Sequence, residues 1–300
     1  MAQNTWRQPT QDLPRRGRGW LRTFFIGALL FVITIAVMLL TSNSNLYPTV
    51  ILIGNFLVPV VFVSFLYDHQ HLSRLTQETI AASFIVGGIL GVLGASILET
   101  LLVPVPSNPT QGLSLGSALL VGLIEEGCKI LAVILLARKM KHTSEMDGLL
   151  LGGAVGMGFA ALESTGYAFS TFILSQGHVG ASIATTIVRG LFAPFGHGIW
   201  TALLGAALFR SSGPRHFRIT IPVILTYLFV SALHGFWDGS PSTVFFVIPP
   251  GIPVSVITLI LGIVGVVILF IVYRRSVNRQ MQEIATTNNL PPVSPGPTVF

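Results

Sequence analysis

Long apolar stretches recur along the chain and are separated by short polar segments. An α-helix that crosses a hydrocarbon core of roughly 30 Å needs about 20 mostly apolar residues. Several stretches also contain Gly, Ser, Thr or an ionisable residue, which is typical of helices that face one another in a bundle. The pattern predicts an all-α, polytopic integral membrane bundle of about eight transmembrane helices, at 21–41, 49–67, 80–103, 114–137, 149–173, 181–209, 219–238 and 251–273.

The composition agrees with a surface that faces lipid. Charged residues make up 9% of the 300 residues and hydrophobic residues 51%, with a mean hydropathy of +0.76. A soluble domain usually carries roughly a quarter of charged residues. The single cysteine, Cys128, excludes an intramolecular disulfide.

The basic residues orient the predicted helices. With the N-terminus in the cytoplasm, none of the 17 basic residues falls in an outer loop: 15 lie in or next to cytoplasmic segments, and the other two, Lys129 and Arg189, fall inside predicted helices. This distribution obeys the positive-inside rule and favours cytoplasmic N- and C-termini. Because the basic residues form short clusters beside apolar segments, the net charge of +6 indicates topology signals and not a nucleic-acid surface. The cytoplasmic basic residues are Arg7, Arg15, Arg16, Arg18, Arg22, Arg74, Arg138, Lys139, Lys141, Arg210, Arg215, Arg218, Arg274, Arg275 and Arg279.

Polarity also divides the chain into three regions. Composition predicts a disordered cytoplasmic N-terminus at 1–19 and a disordered cytoplasmic tail at 276–300. Between them, 20–275 forms the transmembrane helical domain.

Ionisable side chains lie inside predicted helices four to seven. Such a group at mid-bilayer costs at least about 2.5–3.5 kcal/mol, so it usually faces a bundle interior and marks a functional site. We therefore predict a functional polar centre, with a structural role for Arg189. Within the helices, three pairs share one face at i,i+4 spacing. These pairs are Glu125 with Lys129, Glu163 with Tyr167, and His234 with Asp238, and the remaining members of the centre are Glu126 and His197.

These groups differ in the direction and in the depth that the sequence predicts for them within the membrane. Adjacent glutamates point about 100° apart on a helix, so we expect only one of Glu125 and Glu126 to face the centre. Counted from the outer helix ends, Glu125 and Glu163 lie at similar depths, whereas His197 lies deeper and His234 shallower. Helix tilt or glycine breaks would have to close that gap.

Four ordered motifs carry a resemblance to a known family. They are Glu-Glu-x-x-Lys at 125–129, Glu-x-x-x-Tyr at 163–167, a helix-borne His197, and His-x-x-x-Asp at 234–238. Zincin, rhomboid-type and presenilin-type motifs are absent from the sequence. Together the motifs resemble the PrsW family of intramembrane proteases, related to the CAAX-protease and bacteriocin-processing superfamily, over a protease core at about 80–240. Lys129, Ala193 and Asp238 depart from the commoner superfamily pattern and favour the PrsW branch.

The resemblance implies hydrolysis of membrane-anchored protein substrates by a water that Glu125 or Glu126 deprotonates. His197 would position this water, and His234 with Asp238 would stabilise the oxyanion or orient its donor. The resemblance also permits a metalloprotease in which Glu163, His197 and His234 bind Zn²⁺, so the centre is either metal-dependent or metal-free. Lys129 and Tyr167 would support the centre.

Two other classes of protein use ionisable groups inside a membrane. A proton-coupled transporter is one alternative, although the sequence has no visible half-to-half repeat. A non-catalytic membrane scaffold is the other, although Glu125, His197 and His234 are all present. The partners expected are membrane-anchored substrates and the lipid bilayer, with no nucleic acid, and the expected location is the bacterial cytoplasmic membrane.

Overall fold

The protein is almost entirely helical in a computed structural model that describes residues 18–68, 73, 75–104, 112–140, 144–240, 245–248 and 252–287. Each of the eight predicted helices is present, and a short antiparallel hairpin precedes the last one. The third helix contains one π-helical turn at Ser83–Gly87. The elements are α1 Gly19–Thr41, α2 Tyr47–Asp68, α3 Gln77–Leu102, α4 Leu115–Ala137, α5 Glu145–Leu174, α6 Val179–Ser211, α7 Ile221–Gly239, β1 Phe245–Ile248, β2 Ile252–Ser255 and α8 Val256–Thr287.

Seven of the described helices are long and apolar enough to cross a membrane. The exception is α4, which has 23 residues but carries Glu125, Glu126 and Lys129 within its apolar sequence. All three side chains are buried against other helices. This exception is therefore the helix that supplies more ionisable groups to the predicted centre than any other.

Helices α5 and α6 form the centre of the bundle. In α5, 83% of the most apolar window is buried, and in α6 the share is 78%. The corresponding shares are only 6% in α1 and 11% in α8, whose apolar side chains point outward. The outer helices thus present the lipid-facing surface, while α5 and α6 can carry polar groups away from lipid.

Glycines bring α5 and α6 into backbone contact. Gly148, Gly152 and Gly156 recur every four residues, so they lie on one face of α5. A Cβ added to Gly156 would lie 2.2 Å from the backbone oxygen of His197, which is closer than any side chain permits. This close seam positions His197 directly beside α5.

A second close contact joins α4 to α7. A Cβ on Gly122 would lie 2.4 Å from the backbone oxygen of Ser231, and one on Gly235 would lie 2.6 Å from the Cα of Leu119. The two helices therefore meet on small residues immediately beside His234 and one turn from Glu125 and Glu126. Neither glycine needs a positive φ here, because close approach alone requires it.

The end of α8 differs from the sequence prediction. Residues 276–287, assigned to a disordered tail, continue the helix as far as Thr287. Arg275 and Arg279 on this helix both donate to the buried carboxylate of Glu145 at the start of α5, and Ser144 donates to Gln280 at 3.2 Å. These contacts hold the extension against the bundle. The remaining segments predicted as disordered, 1–17 and 288–300, lie outside the described residues.

Candidate active site

Three helices bring four ionisable residues of the predicted centre together. Glu125 and Glu126 come from α4, His197 from α6 and His234 from α7, and all four side chains are buried. The two imidazole rings lie 4.9 Å apart between centroids. The expected difference in depth is therefore wrong. Because α6 begins about 27 Å before His197 and α7 ends only about 8 Å after His234, α7 stops well short of the outer end of α6.

Lys129 connects the groups of the centre. Its fully buried ammonium lies 3.0 Å from Glu125 Oε2, 2.8 Å from Glu126 Oε1 and 2.9 Å from His197 Nδ1. It also lies 3.9 Å above the ring of Phe159. The expectation that only one glutamate faces the centre is thus wrong, because Lys129 sits three and four residues along α4 and draws both carboxylates towards itself.

The two glutamates have different environments. Glu126 accepts hydrogen bonds from Lys129 and, at 3.2 Å, from the hydroxyl of Thr201, and its Oε1 lies 3.1 Å from His234 Nδ1. Glu125 accepts a hydrogen bond from Lys129 through Oε2, and this atom also faces the two histidines. Glu126 is therefore held by three donors, whereas Glu125 keeps acceptor capacity directed at the middle of the centre.

Hydrogen bonding defines the tautomer of His197. An ammonium group only donates, so His197 Nδ1 accepts from Lys129. The proton must then reside on Nε2, which lies 3.1 Å from Glu163 Oε2 and donates to it. Glu163 thus orients the imidazole from the side opposite to Glu125.

His234 has one nitrogen without a hydrogen bond. Nδ1 lies 3.1 Å from Glu126 Oε1 and donates to that carboxylate. Nε2 is buried and forms no hydrogen bond within the described residues, although Asp238 Oδ2 lies at 3.3 Å and Glu125 Oε2 at 3.4 Å. A nitrogen lone pair facing two carboxylate oxygens is unfavourable unless a proton, a water or a cation lies between them.

Trp200 forms one wall of the centre. The indole is fully buried, and its centroid lies 4.8 Å from that of His234 and 5.7 Å from that of His197. Trp237 packs edge-on against it at 5.5 Å. Trp200 lies three residues after His197 and Thr201 four residues after it, so both lie on the histidine face of α6.

Arg189 and Tyr167 support Glu163 at the edge of the centre. Arg189 Nη2 donates to Glu163 Oε2 at 2.6 Å, and its guanidinium lies 3.8 Å from the ring centroid of Tyr167. Tyr167 is half exposed and contacts Arg189 instead of the histidines. The predicted structural role of Arg189 corresponds to this ion pair.

Glu125, His197 and His234 form a buried group that could hold a metal ion. One ligand atom from each lies within 4.8 Å of the others. Glu125 Oε2 lies 3.4 Å from His234 Nε2 and 3.7 Å from His197 Nδ1, and ligand atoms around a tetrahedral zinc are separated by about 3.3 Å. His234 Nε2, which has no hydrogen-bond partner in the described part of the chain, gives the group an available nitrogen ligand, so these residues fit a metal.

Two features of the structure differ from the set of metal ligands implied by the sequence resemblance. Glu163 lies outside the group, because Arg189 binds its carboxylate and it contacts the other nitrogen of His197. Glu125 takes its position beside the histidines. Lys129 also contacts Glu125 Oε2 and His197 Nδ1, so a metal bound by these two atoms would displace the ammonium from them.

Buried carboxylates, two histidines and a lysine inside a bundle of membrane-length helices mark a candidate functional site of an integral membrane protein. A model of the PrsW family intramembrane metalloproteases matches residues 76–273, well over half of the chain, and the chain belongs to this family. No curated protein and no solved structure matches it.

The family membership confirms the predicted activity. The protein is an intramembrane endopeptidase, a multi-pass integral membrane enzyme that acts on membrane-anchored substrates within a lipid bilayer. The transporter and the non-catalytic scaffold therefore receive no support from the comparison. The match extends beyond the predicted core at 80–240 and includes most of α8.

Proposed function

We propose that Glu125 is the carboxylate that activates water for peptide-bond hydrolysis. The observation that carries this proposal is the position of Glu125 Oε2, which faces His234 Nε2 at 3.4 Å and His197 Nδ1 at 3.7 Å. Glu126 is the poorer candidate, since donors from α4, α6 and α7 already occupy its carboxylate. Of the two neighbouring glutamates, Glu125 is thus assigned as the base and Glu126 as the anchor.

The reaction needs one water and returns its two protons to the products. Glu125 accepts a proton as the water oxygen bonds to the scissile carbonyl carbon, and the carbonyl oxygen becomes an oxyanion. His234, oriented by Glu126 and Asp238, faces the reacting groups and stabilises this oxyanion when protonated. The carbon–nitrogen bond then breaks, and Glu125 delivers its proton to the departing amine. The second water proton passes from the new carboxylic acid to the amine product, so the products are a carboxylate and an ammonium.

In the metal-dependent form of the proposal, Zn²⁺ is the ion. Glu125, His197 and His234 would hold it, with Glu163 and Glu126 orienting the two imidazoles from outside. When bound, Zn²⁺ would polarise the carbonyl and lower the pKa of water. Glu125 then serves as a ligand, and Asp238, a quarter exposed and 3.3 Å from His234, is the carboxylate available to accept a proton.

We also propose that all eight helices span the bilayer with both termini in the cytoplasm. The 23 residues of α4 correspond to about 35 Å of helix, and its charged side chains are buried and paired, so none of them has to face lipid. Arg138 and Lys139 follow α4 directly, as the positive-inside rule requires of an inner end. The bacterial cytoplasmic membrane is the location proposed for the protein.

A cleavage assay in proteoliposomes tests the assignment of Glu125. Purified wild-type protein, Glu125→Gln and Glu78→Gln are reconstituted with a model membrane-anchored substrate, and product is followed by mass spectrometry. Glu125→Gln should cut at least about 100-fold more slowly, because the amide cannot accept the proton. Glu78 is exposed near the start of α3, so its variant should match the wild type. Wild-type cleavage by Glu125→Gln would eliminate the proposed base.

Metal content and chelator sensitivity separate the two forms of the centre. If Zn²⁺ is required, protein purified without added metal contains about one Zn²⁺ per chain by mass spectrometry, and chelation removes both metal and activity. His234→Gln should then lose the metal, while Glu163→Gln should retain most of it. Full activity in metal-free protein would overturn the zinc-dependent form and leave Glu125 as a metal-free base.

A further inference from the structure

Several buried polar side chains outside the catalytic centre have no hydrogen-bond partner within the described residues, and three of them belong to α2, α5 and α6. These three are Asn55 on α2, Ser164 on α5 and Thr186 on α6, each at most 1% exposed. Both amide atoms of Asn55 and both hydroxyls are unpartnered. Ser and Thr in helices often bond to a backbone carbonyl of the preceding turn, as Thr165 does to Ala161, but Ser164 and Thr186 do not.

Backbone contacts place Asn55 and Thr186 at one helix junction. A Cβ on Gly190 would lie 2.6 Å from the backbone oxygen of Gly54 and 3.6 Å from the Cα of Asn55. A Cβ on Gly54 would lie 2.4 Å from the Thr186 side chain. Helices α2 and α6 therefore touch at this level, and the two unpartnered side chains belong to the same contact.

Ser164 lies at the same level of the bundle. On the outer side, Ser182 of α6 donates to the backbone oxygen of Ala168 on α5 at 2.6 Å. Four residues further along each antiparallel helix, Thr186 and Ser164 occupy the next turn. The Arg189–Glu163 ion pair follows immediately. The three polar side chains thus lie at the level where α2, α5 and α6 meet, on the outer side of the Arg189–Glu163 ion pair.

The polar groups at the junction favour water over an ion as the ligand. The amide supplies two donors and an acceptor, and each hydroxyl both donates and accepts, with no net charge. A cation there would be repelled by the neighbouring Arg189, and an anion by the neighbouring Glu163. Buried water characteristically forms about three hydrogen bonds to polar groups that the protein leaves unsatisfied.

We propose that Asn55, Ser164 and Thr186 bind ordered water and form a hydration site that supplies the catalytic centre. This inference rests on the proposed function, since hydrolysis consumes one water for each peptide bond and the centre is buried. Glu163 adjoins Ser164 in α5 and contacts His197 of the centre. The Glu163 carboxylate would therefore connect water bound at Ser164 to His197 of the centre.

Whether the Tm falls or rises in suitable variants tests water binding without an activity assay. Thr186→Val and Ser164→Ala keep the side-chain size close to the original, and both are prepared in the Glu125→Gln background for thermal unfolding in detergent. If water is bound, each variant removes one of its partners and lowers the Tm by a few degrees. Thr165→Val is the matched control, because Thr165 bonds to its own helix and its variant should change the Tm little.

Three results would overturn the proposal. An unchanged or higher Tm in both variants would mean that the hydroxyls are simply unsatisfied, because removing such a group is neutral or stabilising. A wild-type Tm that rises with Na⁺ or K⁺ but not with choline would identify a cation site. In otherwise wild-type protein, the Thr186→Val change should lower kcat several-fold at constant KM, and an unchanged kcat would exclude the supply role. Glu125→Gln inactivates by removing the base, so its outcome is independent of these Tm shifts.

Discussion

Helices α1 and α4 have the same length, 23 residues, but opposite distributions of polarity. The most apolar window of α1 has a mean hydropathy of 2.7, and only 6% of it is buried. Helix α4 carries Glu125, Glu126 and Lys129, and buries all three against α6 and α7. The outward surface of α1 is matched to lipid, whereas α4 can reside in the membrane only because neighbouring helices satisfy its charges.

We expect the largest loss of stability and activity when α4 loses Lys129, the cation that pairs with both of its glutamates. Lys129→Met leaves two buried carboxylates without their shared cation, and breaking such a buried ion pair costs about 3–5 kcal/mol. We expect a lower yield of folded protein, a lower Tm in detergent and no detectable cleavage. Lys139→Met, on an exposed lysine just after α4, serves as the control. A Lys129→Met variant with wild-type Tm would contradict the role of the lysine in holding the glutamates.

A smaller but clear effect is expected at the seam that positions His197. Gly156→Ala puts a Cβ 2.2 Å from the backbone oxygen of His197 and forces α5 and α6 apart, at a cost of about 1–3 kcal/mol. Cleavage should fall with the stability, because His197 moves with its helix. Gly166→Ala, on the same helix with no atom within 4 Å of the added Cβ, should be neutral or slightly stabilising. Equal Tm values for the two variants would show that the close seam is not required.

The smallest effect is expected on the lipid-facing surface of α1. Leu29 is 60% exposed, and Leu29→Ala removes apolar atoms from the outward surface of α1. We expect a Tm within about 2 °C of the wild type and unchanged cleavage, since substitutions away from buried features usually alter stability by less than about 0.5 kcal/mol. A large loss of Tm would mean that this surface packs against protein, and the contrast between α1 and α4 would fail.

The sequence predicted the parts of the fold that depend on local polarity. Seven of the described helices are long and apolar enough to follow from hydropathy, and residues such as Glu125, His197 and His234 were recognisable because each carries a cost in a membrane helix. The sequence therefore identified these residues as members of a functional centre, but it did not predict the contacts between them. Their side-chain roles remain proposals, since the family match concerns the chain and not single residues.

The failures of prediction concern contacts between distant segments. The depth of His234 depends on where α7 ends relative to α6, and on contacts such as that of α7 with α4 at Gly122 and Ser231, neither of which hydropathy reveals. The helical extension of α8 depends on Arg275 and Arg279 reaching Glu145, which no local pattern reveals. Both glutamates face the centre because one lysine lies within reach of both, a geometry that helical angles alone do not give.

The most direct test of the central claim is whether Glu125→Gln still binds substrate. Steady-state cleavage in proteoliposomes gives kcat and KM, and thermal unfolding of the same preparations gives the Tm. We predict a kcat at least about 100-fold lower for Glu125→Gln, with KM and Tm close to the wild type. Glu126→Gln should instead lower the Tm, because it weakens the carboxylate that three donors hold. A Glu125→Gln variant with wild-type kcat, or one that loses activity only together with its Tm, would contradict the assignment of Glu125 as the base.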